Sequence, residues 1–172
     1  MLTIKIFQCN ALQENCYVVS DETRACVIID CGARTTDEYR VISDYIRVQQ
    51  LQPQHIIATH GHVDHNYGNG YVYAEFGLTP EVHERDLPSM ATLHEQSVQF
   101  IGLDVLAPVP PVQTRLKEGD RVDFGTQSSK RRDILPVVSS CMMPLSTWPF
   151  RAIPSFVPPS GAPICRAVRC LK

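Results

Sequence analysis

The chain of 172 residues predicts an α/β fold, the first βα half of an αββα sandwich followed by an irregular C-terminal tail. Three observations carry that expectation. Apolar runs at residues 3–7, 15–20 and 25–30 read as strands, the first alternating and the other two more continuously apolar. From Thr35 onward helical and extended patterns alternate, the order of a sheet covered by helices. Beyond Gly125 neither a period of two nor one of 3.6 persists, and seven of the 13 prolines interrupt the chain.

Taken in order, Thr35 followed three residues later by Glu38 is a capping-box pattern and opens a helix to about residue 50. Val41, Ile42, Tyr45 and Ile46 make its apolar face, and Pro53 lies beyond its end. The next strand, His55-Ile56-Ile57-Ala58, runs into a histidine-rich loop. A helix over residues 66–76 is closed by Gly77, which suits a left-handed cap. A short strand near 81–83 and a helix over 87–100 follow. Extended segments at 110–113 and 121–124 flank a Glu118-Gly119-Asp120 turn. We find no internal repeat.

Composition divides the chain at about Gly125. Residues 1–125 carry 9 Lys+Arg and 17 Asp+Glu, net −8, whereas residues 126–172 carry 7 Lys+Arg and one acid, Asp133, net +6. Residues 1–125 therefore read as one part and residues 126–172 as a separate tail. A disordered basic tail is the usual reading of such a composition, but Ile134, Leu135, Trp148, Phe150, Phe156 and Cys165 are not residues a solvated tail retains. Seven cysteines without CxxC spacing include Cys16, Cys26 and Cys31 in or beside apolar strands, where they read as buried small hydrophobes in a reducing cytoplasm. Neither an export signal nor a membrane span is expected. The Lys130-Arg131-Arg132 run is set against an acidic first part, so no nucleic-acid partner is expected.

Three of the six histidines fall in Thr59-His60-Gly61-His62-Val63-Asp64-His65, directly after an apolar strand. Imidazole nitrogens and a carboxylate at a strand-to-loop junction are a donor set suited to Zn²⁺. His55, His83 and His94 stand alone and receive no role, His83 being read as a partly exposed residue of an edge strand. Tyr67 and Tyr71 flank the loop and are read as core packing of the following helix.

The HxHxDH run, preceded by Asn15-Cys16-Tyr17-Val18-Val19 and Val27-Ile28-Ile29-Asp30-Cys31-Gly32, resembles the metallo-β-lactamase superfamily, most closely its glyoxalase II-like hydrolases. The resemblance implies His60 and His62 as ligands of one metal, and Asp64 and His65 as ligands of a second. It implies two Zn²⁺ per intact site, with iron or manganese as alternatives, and a small-molecule thioester or ester as substrate. Asp64 is also the catalytic residue it implies, a carboxylate that orients the attacking water. The alternative for Asp64 is to fix a histidine tautomer from behind the metal. The family completes its site with a TPGH-like histidine, a bridging aspartate after a small residue and glycine, and a last histidine. No histidine follows residue 125 here.

A shifted reading frame supplies the missing motifs. With AAA CGC CGG GAC ATA CTC CCG GTG GTG for Lys130 to Val138, the third base of each codon joined to the next two spells TPGHTPGG. In the same frame Phe150-Arg151-Ala152-Ile153, as TTT CGG GCG ATA, gives Ser-Gly-Asp. Ser160 to Val168, as TCG GGC GCA CCG ATC TGC CGG GCG GTG, gives GRTDLPGG, which glyoxalase II-like proteins also resemble. The wobble bases are free, so one match is cheap, but three in one frame and in family order are not.

Three functions follow: a glyoxalase II-like zinc hydrolase impaired by the frame; another superfamily chemistry (lactonase, nuclease, sulfur dioxygenase); or a non-catalytic metal-binding or interaction module. Half a sandwich also predicts that Val18, Ile28 and Ile56 lack a covering layer and leave an exposed patch.

Overall fold

The structure, a computed structural model, describes residues 2–117 and 120–130. It is a mixed α/β fold built on a six-stranded sheet in the order β1-β2-β3-β4-β5-β6, with strands Thr3–Cys9, Glu14–Ser20, Ala25–Ile29, Gln52–Ile57, Pro80–His83 and Thr114–Leu116. The first three pair antiparallel; β3 to β6 run parallel. A separate hairpin, β7 (Arg121–Phe124) with β8 (Gln127–Lys130), carries the chain five residues past the composition break.

Helix α1 (Thr36–Val48) begins as its sequence demands. Thr35 accepts from the Glu38 N–H and Glu38 returns to the Thr35 N–H, closing the capping box. Its buried stripe is Tyr39, Ile42, Ser43 and Ile46. Val41, expected on that face, is 60% exposed, because it lies one residue, about 100°, away from Ile42 around the helix. Tyr45 is partly buried against the core. Helix α2 (Asn69–Phe76) starts later than expected, since residues 63–65 form a 3₁₀ turn, and it ends at Gly77 with φ 70°. The helix expected over 87–100 is broken into α3 (Leu87–Met90) and α4 (Leu93–Ile101), the latter closed by Gly102 at φ 68°. Residues 110–113 form no strand; the pairing falls at Thr114–Leu116, beyond prolines that have no N–H to donate. Of the expected Glu118-Gly119-Asp120 turn, Glu118 and Gly119 lie outside the described residues, as do residues 131–172.

Both faces of the sheet are covered. Val18, Ile28 and Ile56 lie on the face that packs against Tyr39, Ile42, Ile46 and Val72 of α1 and α2, so the bare patch expected there does not exist. The opposite face, Tyr17, Val19, Val27, Ile29 and Ile57, packs on Leu116 and on Val122 and Phe124 of the hairpin. Within the described strands, Ile4 and Ile6 of β1 are left open, 43% and 48% exposed, on the hairpin side at the sheet's edge. Cys16, Cys26 and Cys31 are fully buried free thiols. Among the described residues no helix is long and apolar enough to cross a membrane.

Candidate metal centre

Parallel strands β3 and β4 end side by side, and their C-terminal ends build the site. Asp30, one residue past β3, donates its N–H to Ile57 O at 2.9 Å and then turns with φ 52°. That left-handed conformation is uncommon for a side-chain-bearing residue, though aspartate tolerates it better than most. Both carboxylate oxygens of Asp30 take Thr59: Oδ1 from the N–H at 2.7 Å and Oδ2 from the hydroxyl at 2.7 Å. The end of one strand thus fixes the first residue of the histidine loop on the next.

The loop is then held at its backbone by amide side chains. Asn66 Nδ2 donates to His60 O (3.1 Å) and His62 O (2.6 Å). Asn10 Nδ2 donates to Asp64 O and Gly32 O, both at 2.9 Å. Close packing is fixed by two glycines: a Cβ on Gly61 would lie 2.6 Å from Ser89 Cβ, and one on Gly68 would lie 2.4 Å from Cys31 Sγ.

The four predicted side chains fall into two touching pairs. His60 Nε2 is 3.1 Å from His62 Nδ1, and His65 Nε2 is 3.5 Å from Asp64 Oδ2. The pairs adjoin through the His60 and His65 rings, whose centroids are 4.2 Å apart. His62 is exposed, His60 and Asp64 are half-buried, and His65 is 6% exposed. Burial, followed by the neighbouring His65 and His62, holds the His60 pKa down to about 4, so its ring is neutral with a lone pair to offer.

Two residues to which the sequence reading gave no role stand behind His65. Asp30 Oδ2 is 3.1 Å and Glu14 Oε1 3.6 Å from its Nδ1, and one donor atom from each of Glu14, Asp30 and His65 falls within 4.8 Å of the others. Neither Glu14 oxygen has a hydrogen-bond partner, and the Asp30 contact with His65 is an ion pair when the ring is protonated. Burial, then the charges of Asp30, Cys31 and Asp64, pushes Glu14 up to about 11. At His65 burial opposes protonation, but Asp30 and Asp64 outweigh it and raise the pKa. An acid closing the apolar run Val27-Ile28-Ile29 was a signal for Asp30. Glu14 sits among polar residues and gave none.

The other histidines lie apart from this cluster. His55 Nδ1 contacts Glu81 Oε1 at 2.6 Å and its Nε2 contacts Asp123 O at 3.0 Å. His83 accepts from Arg85 N, and β5 lies between β4 and β6, so it is not the edge strand expected. His94 pairs with Asp104. Tyr67 is buried with its hydroxyl 3.1 Å from Ser97 Oγ, and Tyr71 donates to Arg34 O, as core packing requires.

A neutral His60 meeting His62 nitrogen to nitrogen, beside the buried Glu14 side chain that has no hydrogen-bond partner, forms a donor set that fits a divalent metal of borderline softness. Known proteins agree with this architecture. The fold is similar to BLEG-1 B3 metallo-beta-lactamase (TM-score 0.64, 21% identity, covering 74% of this chain and 59% of that one). It is also similar to TTHA1623, described in a di-iron-bound form (TM-score 0.58, 29% identity, 69% and 56%). In sequence, the uncharacterized protein ML0493 of Mycobacterium leprae is 36% identical over 81 residues, 46% of this chain and 36% of that protein. The chain thus spans about a third of the length of this curated relative and under two thirds of these two structures. The Metallo-beta-lactamase superfamily model matches residues 9–142, and with that span and this sheet the chain belongs to the Metallo-beta-lactamase superfamily.

Proposed function

We propose that the chain is the metal-binding part of a metal-dependent hydrolase that cleaves a small-molecule thioester or ester in the manner of glyoxalase II. His60, His62, Asp64 and His65 are the ligands it contributes. The observation that carries this is the meeting of the two predicted ligand pairs at the ends of β3 and β4, with His60 neutral and His65 backed by Asp30. Zinc is the metal proposed; the di-iron form of TTHA1623, at 29% identity, supports a two-metal site and keeps iron as the alternative. When bound, such a pair of metals polarises the carbonyl and makes water nucleophilic near neutral pH.

The chain's own residues do the rest. His60 and His62 present lone pairs at the exposed end of the loop. His65 presents Nε2 while its Nδ1 faces Asp30, an arrangement that selects which ring nitrogen carries the proton. Asp64 is the carboxylate that orients the attacking water.

The later ligands are encoded, on this proposal, in the shifted frame after Gly125. The printed frame provides no histidine there. The positions that carry TPGH, Ser-Gly-Asp and GRTDLPGG in that frame lie outside the described residues except Lys130. The test compares the chain as printed with a version carrying the restored frame, measuring bound metal by mass spectrometry and hydrolysis of S-lactoylglutathione. The restored protein is expected to hold two metals and turn over, and the printed chain to hold metal with little or no turnover. Metal binding without thioester or ester hydrolysis by either version would instead support the non-catalytic module, for which the absence of any histidine after residue 125 is the favouring observation.

A further inference from the structure

Helix α4 meets the middle of the metal loop through Gln96, beside Leu93, which packs in the cluster that holds Val63. Gln96 Nε2 donates to Gly61 O at 3.1 Å and its Oε1 accepts from Val63 N at 3.0 Å. The carboxamide pairs with the loop as a neighbouring β-strand would, one donor and one acceptor on the residues that bracket His62. Nε2 also donates to Ser89 O at 2.8 Å and contacts Thr92 Oγ1 at 3.3 Å, so the amide is itself anchored to α3 and to the residue that opens α4.

The bracket falls where the loop has least other support. His62 is exposed, its backbone is extended (φ −80°, ψ 145°), and no carboxylate contact to its ring is found among the described residues. Beyond its contact with the His60 ring, Nε2 to Nδ1 at 3.1 Å, its direction is set by its backbone, which Asn66 holds at the His62 carbonyl and Gln96 holds on either side. Gly61 and Val63 are both buried, so without Gln96 a buried N–H and a buried carbonyl lose their partner and the loop shifts to recover them.

We propose that Gln96 is a positioning residue that sets the metal-binding geometry of His62. The inference rests on the assignment of His60 and His62 as ligands, and the test separates the two.

Cobalt(II) is titrated into the full chain and into Gln96→Met, which keeps length and helix propensity but makes neither hydrogen bond. Affinity is read by competition with a chromogenic chelator, and geometry by the visible d–d absorption. Ser97→Ala, which removes the neighbouring α4 hydroxyl bonded to Leu103 O at 2.6 Å, is the control for helix destabilisation alone. Gln96→Met is expected to lose at least tenfold in cobalt affinity and to change the d–d spectrum, while Ser97→Ala keeps both. Should Gln96→Met not fold, Gln96→Glu, which retains the acceptor for Val63 N and loses the donor to Gly61 O, is expected to lose affinity in the same direction. Wild-type affinity and spectrum in the Gln96 variant, or equal losses in Ser97→Ala, overturn the inference. If His62→Ala binds cobalt as wild type does, the ligand assignment itself fails and the inference with it. If His62→Ala abolishes binding and Gln96→Met does not, only the inference fails.

Discussion

His65 and His62 stand three residues apart on one loop and are held in opposite ways. The His65 ring is buried, with Asp30 and Glu14 behind Nδ1 and Asp64 in front of Nε2. The His62 ring is exposed and touches the His60 ring, with no carboxylate against it among the described residues, and the protein grips its backbone through Asn66 and Gln96. The contrast separates two routes to a prepared ligand. One fixes the ring and its tautomer by charge and burial, and it couples the ligand to stability. The other fixes the chain and leaves the ring free to meet its metal, so function can be lost with stability unchanged.

Asp30→Ala breaks the first route and carries the largest expected effect. It removes the acceptor for both Thr59 groups and the counter-charge of a buried histidine, and it places alanine at φ 52°. Loss of one partner of such a buried pair costs about 3 kcal/mol or more. Urea unfolding of the metal-free chain should show that loss. A change under ~0.5 kcal/mol, the size of an ordinary surface substitution, would mean that Asp30 serves the metal alone.

Gly61→Ala tests the backbone route by steric means. The added methyl would meet Ser89 Cβ at 2.6 Å, Asp86 O at 2.9 Å and Met90 N at 3.2 Å, none of them a flexible chain end. The loop must move away from α3, at a cost of about 1–3 kcal/mol, and metal affinity should fall with stability. His62→Ala is the complement: stability within ~0.5 kcal/mol of wild type, with zinc affinity down at least tenfold by chelator competition. If His62→Ala melts much earlier than wild type, the distinction between the two routes collapses.

The sequence made the first route hard to see and the second harder. The loop, the strands that flank it and the α1 capping box were all legible, because each is a local pattern: period, cap, or clustered ligand types. Asp30 stood at the end of a strand already marked as part of a family motif, so its position was visible and its use was not. Glu14 and Gln96 had no local signal, since each meets the loop across a long stretch of chain. The misplaced elements have the same cause. Val41 reads as core because a run of apolar residues on a helix is wider than the face that packs, and Val18, Ile28 and Ile56 read as bare because the helices that cover them are distant in sequence.

His55 gives the smallest effect and the finest test of the comparison, because it is a histidine with a carboxylate partner outside the site. Its Nδ1 lies 2.6 Å from Glu81 Oε1, and its Nε2 reaches Asp123 O on the hairpin. The Glu81 hydrogen bond raises its pKa against an opposing burial effect. A histidine whose folded pKa is raised contributes stability that is fully present below the unfolded value of about 6.5 and fades as pH rises through the folded value. His55→Gln should therefore melt below wild type at pH 6 by a degree or two, a modest shift because the ring is 26% exposed and the pair is screened. The gap should close by pH 9. A gap that stays constant from pH 6 to pH 9 would show that His55 acts through packing and the Asp123 contact rather than through its charge. The charge of a carboxylate partner would then be too little to explain why His65, and not His62, is tied to the stability of the fold.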